Sequence, residues 1–270
     1  MSAERAELVT LGGERDRTDG MNRADRMGRP TSVTAHRTLI CVPHAGGSAA
    51  AFHAWHRAFG PCGTAVRAVH WERPDGSEHR SSIEARAAAL AAAARELTGP
   101  WILLGHSLGA LVVAEAVRQL EDSPGPLPER AVLCASASPG TPRSFPPDVL
   151  QASDERMASY VRRLGGTDER ILNDIEFGPR LLAALRADLD LIERYAPDFT
   201  CPPATPVSVY GGKADRDVPV EALEGWRRWA PDARVRVFDG GHFFPHEDPA
   251  AICRAVMTDC AQGGSDRSLR

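Results

Sequence analysis

Ser107 sits in the pentapeptide Gly105-His106-Ser107-Leu108-Gly109. The apolar run Trp101–Leu104 comes just before it, and Leu108, Leu111, Val112, Ala116 and Leu120 follow at 3/4 spacing. That order predicts a strand, a sharp turn and a helix, the setting in which small flanking residues leave a serine hydroxyl exposed at a strand end. The helix N-terminus beneath it supplies positive dipole and free amides. A hydroxyl becomes a competent nucleophile when a base takes its proton and an acid holds the base. In such a fold the partners follow in the order acid, then histidine.

His242 lies in Gly240-Gly241-His242-Phe243-Phe244, after the run Val235–Phe238, and the glycines suit a loop that brings an imidazole to the sheet edge. His44, His106 and His246 compete for the role; His106 lies inside the turn and is read as orienting it. Asp215 follows the run Val207–Tyr210 in a Gly-x-x-Asp-x-x-Val turn and is the expected acid. Asp217 is the runner-up, and Asp239 reads as a turn residue. His246 is four residues from His242, but there is no HExxH pattern and no third ligand in the spacing, so neither a metal nor a cofactor is expected.

A tetrahedral intermediate needs two amide donors aimed at its oxyanion. The N–H of Leu108 is one. The other is expected from Pro43-His44-Ala45-Gly46-Gly47-Ser48, where glycines permit close backbone approach. Ala45 is assigned, with Gly46 as the alternative. The rival reading of this segment as a phosphate loop lacks both the GxGxxG spacing and the downstream acid.

The elements that must position these groups are legible as texture. Thr38–Val42, Val66–His70, Trp101–Leu104, Ala131–Cys134, Val207–Tyr210 and Val235–Phe238 are short, aliphatic runs, as in strands buried on both faces of a parallel sheet. Helical patterns fall at Ser82–Leu97, Leu108–Leu120, Val220–Trp229 and Pro249–Cys260. Alternating strand and helix predicts a mostly parallel, doubly wound α/β sheet. Residues 141–200 break the alternation: they carry no strand signal, and Leu181, Leu182, Leu185, Leu189 and Ile192 share a helix face, so a helical lid is expected there.

The chain of 270 residues is 43% hydrophobic and 25% charged with net charge −4. These values fit a globular domain and exclude a basic nucleic-acid binder. No apolar run is long enough to span a bilayer. The six cysteines form no CxxC pair and read as free thiols of a reducing cytoplasm. Twelve of the first thirty residues are charged. Residues 1–35 are therefore expected to be a flexible extension, with Met21 and Met27 as alternative starts, 36–262 the domain and 263–270 a flexible tail.

Pro43-His-Ala-Gly-Gly-Ser48 with Phe52 and Trp55, Gly105-His-Ser-Leu-Gly109-Ala110, Leu164-Gly-Gly-Thr167, Leu185-Arg-Ala-Asp188 with Tyr195, and Gly241-His-Phe-Phe244 together resemble the type II thioesterases. These are stand-alone enzymes of α/β-hydrolase fold that accompany nonribosomal peptide and polyketide synthases. The resemblance spans roughly residues 37–260. By position it implies Ser107, Asp215 and His242 as the triad, Ala45 and Leu108 as oxyanion amides and Leu164–Tyr195 as a mobile lid. It departs at Leu108, where the family commonly has Met, and at Trp71-Glu-Arg-Pro-Asp-Gly76, where it has Pro-Gly-Arg. It implies a monomeric cytoplasmic enzyme that hydrolyses acyl groups from the phosphopantetheine arm of acyl or peptidyl carrier domains, with no nucleic-acid or membrane partner. Carrier domains are typically acidic, which makes Arg156, Arg162, Arg163 and Arg170 candidate contacts. The alternatives are a product-releasing thioesterase, a general carboxylesterase, and a non-enzymatic binding protein of the same fold.

Overall fold

The computed structural model describes residues 4–12, 36–72, 81–141 and 148–263. Within them lie strands β1 (Arg5–Thr10), β2 (Arg37–Val42), β3 (Thr64–Glu72), β4 (Trp101–His106), β5 (Arg130–Cys134), β6 (Val207–Gly212) and β7 (Arg234–Phe238). They form one sheet in the order β1-β3-β2-β4-β5-β6-β7. Every neighbouring pair is parallel except β1 with β3. All six runs expected to be strands are strands, each one to four residues longer than its apolar core. The helices are α1 (Trp55–Phe59), α2 (Ile83–Arg95), α3 (Leu108–Glu121), α4 (Asp154–Leu164), α5 (Glu169–Leu172), α6 (Phe177–Arg194), α7 (Val220–Leu223), α8 (Phe244–Glu247) and α9 (Pro249–Gly263).

Strand periodicity of two divides the core. Leu39, Cys41, Ile102, Leu104, Val132 and Cys134 pack on one face with Trp55 and Phe59 of α1 and Ile252 and Val256 of α9. Ile40, Val42, Trp101, Leu103, Ala131 and Leu133 pack on the other with α2 and α3. Ser82 starts α2, its hydroxyl accepting the Ala85 N–H at 3.1 Å. Helix α3 is buried almost all round, as its continuous Leu-Val-Val-Ala sequence requires.

Between β5 and β6 the chain leaves the sheet and builds α4, α5 and α6, where a helical lid is expected. The insertion has its own apolar cluster, in which Val149, Met157, Tyr160, Val161, Leu172, Leu182, Leu185 and Leu189 meet.

The N-terminal expectation needs correction. Arg5–Thr10 is a strand paired antiparallel to β3, with Ala6 and Leu8 against the core and Glu4 ion-paired with Arg86 of α2 at 3.3 Å. Its alternating half-exposed pattern suits an edge strand but lacks the continuous apolar run by which the other strands show in the sequence. The rest of the expected extension, residues 1–3 and 13–35, lies outside the described residues, as do Arg73–Gly76 and, of the expected tail, 264–270. Val220–Trp229 is helical only to Leu223 and then continues as a 3₁₀ turn, Glu224–Arg228. All six cysteines are free, and among the described residues no helix is long and apolar enough to cross a membrane.

Candidate active site

The turn between β4 and α3 is the one the sequence predicts, and its strain is measurable. Ser107 has φ 56° and ψ −116°, a region a side chain occupies at a cost of about 1–3 kcal/mol. The glycines on either side are required by contact. A Cβ on Gly105 would lie 2.1 Å from the Gly109 carbonyl oxygen, and one on Gly109 would lie 2.3 Å from that of Val42. The Ser107 N–H donates to Cys134 O at 2.8 Å, which anchors the elbow to β5.

Asp215 and His242 come from the loops after β6 and β7. One Asp215 oxygen accepts the backbone N–H groups of Asp217 (2.9 Å) and Val218 (3.0 Å). The other lies 2.8 Å from His242 Nδ1, and both side chains are buried. A carboxylate fixed on one side by two amides presents a defined acceptor to Nδ1–H and leaves Nε2 as the basic nitrogen. Ser107 and His242 line one cleft between the sheet and the lid. Its apolar wall includes Leu111, Leu164, Leu181, Leu185, Leu189 and Ile192. Of the lid leucines expected on one face, only Leu182 belongs to the lid's own core without reaching the cleft.

Asp217 is turned away from the imidazole. It accepts the Tyr160 hydroxyl of α4 at 2.8 Å and pairs with Arg163 at 3.4 Å. Asp239 pairs with Lys213 at 2.7 Å, an exposed turn contact. In the loop after β2, the Gly46 N–H donates to Asp188 of α6 at 2.8 Å, so that amide is taken and Ala45 remains as the loop's candidate donor. Asp188 also accepts Arg86 at 2.6 Å in a buried pair. Neither role is assigned by the sequence reading. The signal for Asp188 is a carboxylate at the apolar spacing Leu185, Asp188, Leu189, Ile192, where solvent-facing charge has no place.

Behind the elbow the histidines form a cluster. His106 Nε2 lies 2.8 Å from the carbonyl oxygen of His242, so it donates there and braces the loop of the candidate base. His106 Nδ1 lies 3.1 Å from His246 Nε2. Burial lowers the pKa of His44 to about 3 and of His246 to about 4, and drives that of His106 well below the usual value. All three rings are therefore neutral near pH 7.

The four lid arginines expected as carrier contacts are each engaged locally. Arg156 pairs with Asp148, Arg162 with Glu169, Arg163 with Asp217 and Arg170 with Asp168. On the same lid Ile175, Phe177 and Ile171 stand 90%, 60% and 50% exposed.

Comparison with known proteins identifies the family. The family model described as "Thioesterase domain" matches residues 37–260. The chain is 33% identical over 232 residues to Thioesterase PikA5 of Streptomyces venezuelae, covering 81% of this chain and 79% of that protein. It is 30% identical to the gramicidin S biosynthesis protein GrsT of Aneurinibacillus migulanus, covering 77% and 83%. Among solved structures, YbtT, a type II thioesterase from the yersiniabactin NRPS/PKS pathway, superposes with TM-score 0.75 at 26% identity, covering 87% and 97%. RedJ, a thioesterase of prodiginine biosynthesis in Streptomyces coelicolor, gives TM-score 0.70 at 28% identity, covering 88% and 100%.

Proposed function

This chain belongs to the thioesterase family, and from that premise we propose that it hydrolyses acyl thioesters held on the phosphopantetheine arm of carrier domains, with Ser107, His242 and Asp215 as its triad. The observation that carries the proposal is the 2.8 Å contact of Asp215 with His242 beside the strained Ser107, at the floor of an apolar, lid-covered cleft. Ser107 Oγ attacks the thioester carbonyl while His242 Nε2 takes its proton. The Ala45 and Leu108 amides hold the oxyanion; one such donor contributes about 2.7–4 kcal/mol in a comparable hydrolase. The thiolate leaves and takes up the proton held by His242, which restores the neutral base. His242 Nε2 then takes a proton from water, whose oxygen attacks the acyl-serine carbonyl, and returns that proton to Ser107 Oγ as the acid departs. These steps use groups of the chain alone.

An apolar cleft separates acyl chains differing by one methylene by only about 1–3 kcal/mol. Weak discrimination suits an editing enzyme that clears many misprimed or stalled chains, and selectivity then falls to the carrier. The exposed Ile171, Ile175 and Phe177 on the lid offer it an apolar contact. The paired lid arginines contribute at most a rim of local ion pairs, so long-range steering by free charge is a smaller part of docking than their number suggests.

The test compares hydrolysis of one acyl group on a carrier domain, on a short pantetheine mimic and on a free oxygen ester, for wild type and Ser107→Ala. Carrier-bound substrate is expected to give the highest kcat/KM. The alanine variant should lose about 10⁶-fold in kcat, together with labelling by a fluorophosphonate. Equal rates on carrier, mimic and ester would favour a general carboxylesterase. Turnover that persists without Ser107 would overturn the assignment.

A further inference from the structure

His44 lies in the loop after β2, His106 ends β4 and His246 sits in α8, and each offers a ring nitrogen within 4.8 Å of the other two. We propose that this cluster is a binding site for a zinc-class divalent cation, tying together the loop of Ala45, the elbow of Ser107 and the segment after His242.

The geometry is near that of a three-imidazole site. Zinc–nitrogen bonds of about 2.0–2.1 Å at tetrahedral angles place the ligand nitrogens roughly 3.3 Å apart and the ring centres about 5 Å apart. Here His106 Nδ1 and His246 Nε2 are 3.1 Å apart. The ring centroids are 5.1 Å apart for His44–His106, 5.0 Å for His106–His246 and 6.0 Å for His44–His246. Closing the widest nitrogen pair from within 4.8 Å to that separation takes a movement of up to about 1.5 Å, which a rotation of His44 supplies.

The tautomers fit as well. Because His106 Nε2 donates to the His242 carbonyl, its Nδ1 carries a lone pair aimed at His246. A ligating histidine characteristically donates its other N–H to a carbonyl or carboxylate, which fixes the ring and raises its basicity. Buried Nδ1 atoms of His44 and His246 have no hydrogen-bond partner among the described residues. The unpartnered Nδ1 of His44 leaves a place for an absent ligand beside the cluster. Cation binding through Nε2 of His246 moves its hydrogen from Nε2 to Nδ1. Imidazole donors without carboxylate suit zinc, copper, nickel or cobalt rather than magnesium or calcium. His44 lines the active-site cleft, which gives the ion a route in. Sequence spacing hides the site because only His246 lies near another candidate histidine in the chain. The proposal is independent of the hydrolytic chemistry above, which needs no ion.

The experiment uses the full chain without an affinity tag, stripped with chelator. Zn²⁺ is titrated calorimetrically, Co²⁺ is followed by visible absorption, and the histidine ring resonances are monitored by NMR. The expected result is one ion per chain, a four-coordinate cobalt spectrum, and perturbation confined to three ring systems. Thermal midpoint should rise with free Zn²⁺, since the ion binds the folded form. His246→Gln should weaken binding at least ~10-fold. His56→Ala, which breaks the exposed His53–His56 pair, should leave it unchanged. Absence of binding, a six-coordinate cobalt spectrum, or affinity that follows His56 instead of His246 would overturn the site. The wild-type NMR result decides the matter even if the His246 variant folds poorly.

Discussion

Asp188, three turns into lid helix α6, accepts the backbone N–H of Gly46 at 2.8 Å, so the lid holds the loop that carries the candidate oxyanion donor Ala45. The same carboxylate is buried against Arg86 at 2.6 Å. Asp188→Ala removes both contacts and leaves Arg86 with Glu4 alone. Breaking a buried ion pair from one side costs of order 3–5 kcal/mol, so a loss of that size is expected in urea denaturation. Asp188→Asn keeps an acceptor for Gly46 and should retain more kcat than the alanine variant. If the two variants are equally active, the Gly46 contact does not position the loop.

Asp215→Asn should lower kcat by roughly 10⁴-fold, the cost of the wrong histidine tautomer in a comparable triad. Asp217→Asn should cost far less, about one hydrogen bond's worth or ~10-fold at most, because its contacts are with Tyr160 and Arg163 of the lid. Measuring both kcat values settles which carboxylate serves His242. A larger loss at Asp217 would reverse the assignment.

Ile175→Asp and Phe177→Asp place charge on the most exposed apolar positions of the lid. They should lower kcat/KM on carrier-bound acyl groups several-fold while leaving a pantetheine mimic unaffected, since neither side chain lines the cleft. The expected drop corresponds to about 1 kcal/mol of contact, the threshold that separates energetically important interface residues from the rest. Unchanged rates on the carrier would put docking on another surface.

The six core strands and the elbow are legible because a buried parallel strand needs an unbroken aliphatic run and the elbow needs two glycines whose Cβ positions are occupied by backbone. Ser107, Asp215 and His242 can be picked out because each follows such a strand. Strand β1 is not legible, since Ala6 and Leu8 alternate with charged residues on a half-exposed edge. Asp188, Tyr160 and the histidine cluster are hidden for a different reason. Their partners lie 142, 57 and 140 residues away along the chain, and no local spacing encodes such contacts.

The buried histidines give the fold a defined response to acid. In the chelated protein His44 and His246 have pKa values lowered to about 3 and about 4, and His106 is also lowered, in each case first by burial. In the unfolded chain each returns to about 6.5. Between these limits the unfolded state binds protons that the native state does not, so unfolding becomes easier as pH falls. Stability is therefore full above about pH 7 and declines from about 6.5 downward. Each ring that stays neutral in the folded state contributes a slope of up to about 1.4 kcal/mol per pH unit. The loss levels off only near pH 3–4, where His246 and His44 protonate in the folded state. His246→Gln removes one ring and should flatten the decline. Urea denaturation at pH 7, 6 and 5 for both proteins measures this directly. Stability that is level from pH 7 to 5 in the wild type would mean that the cluster already carries protons in the native state.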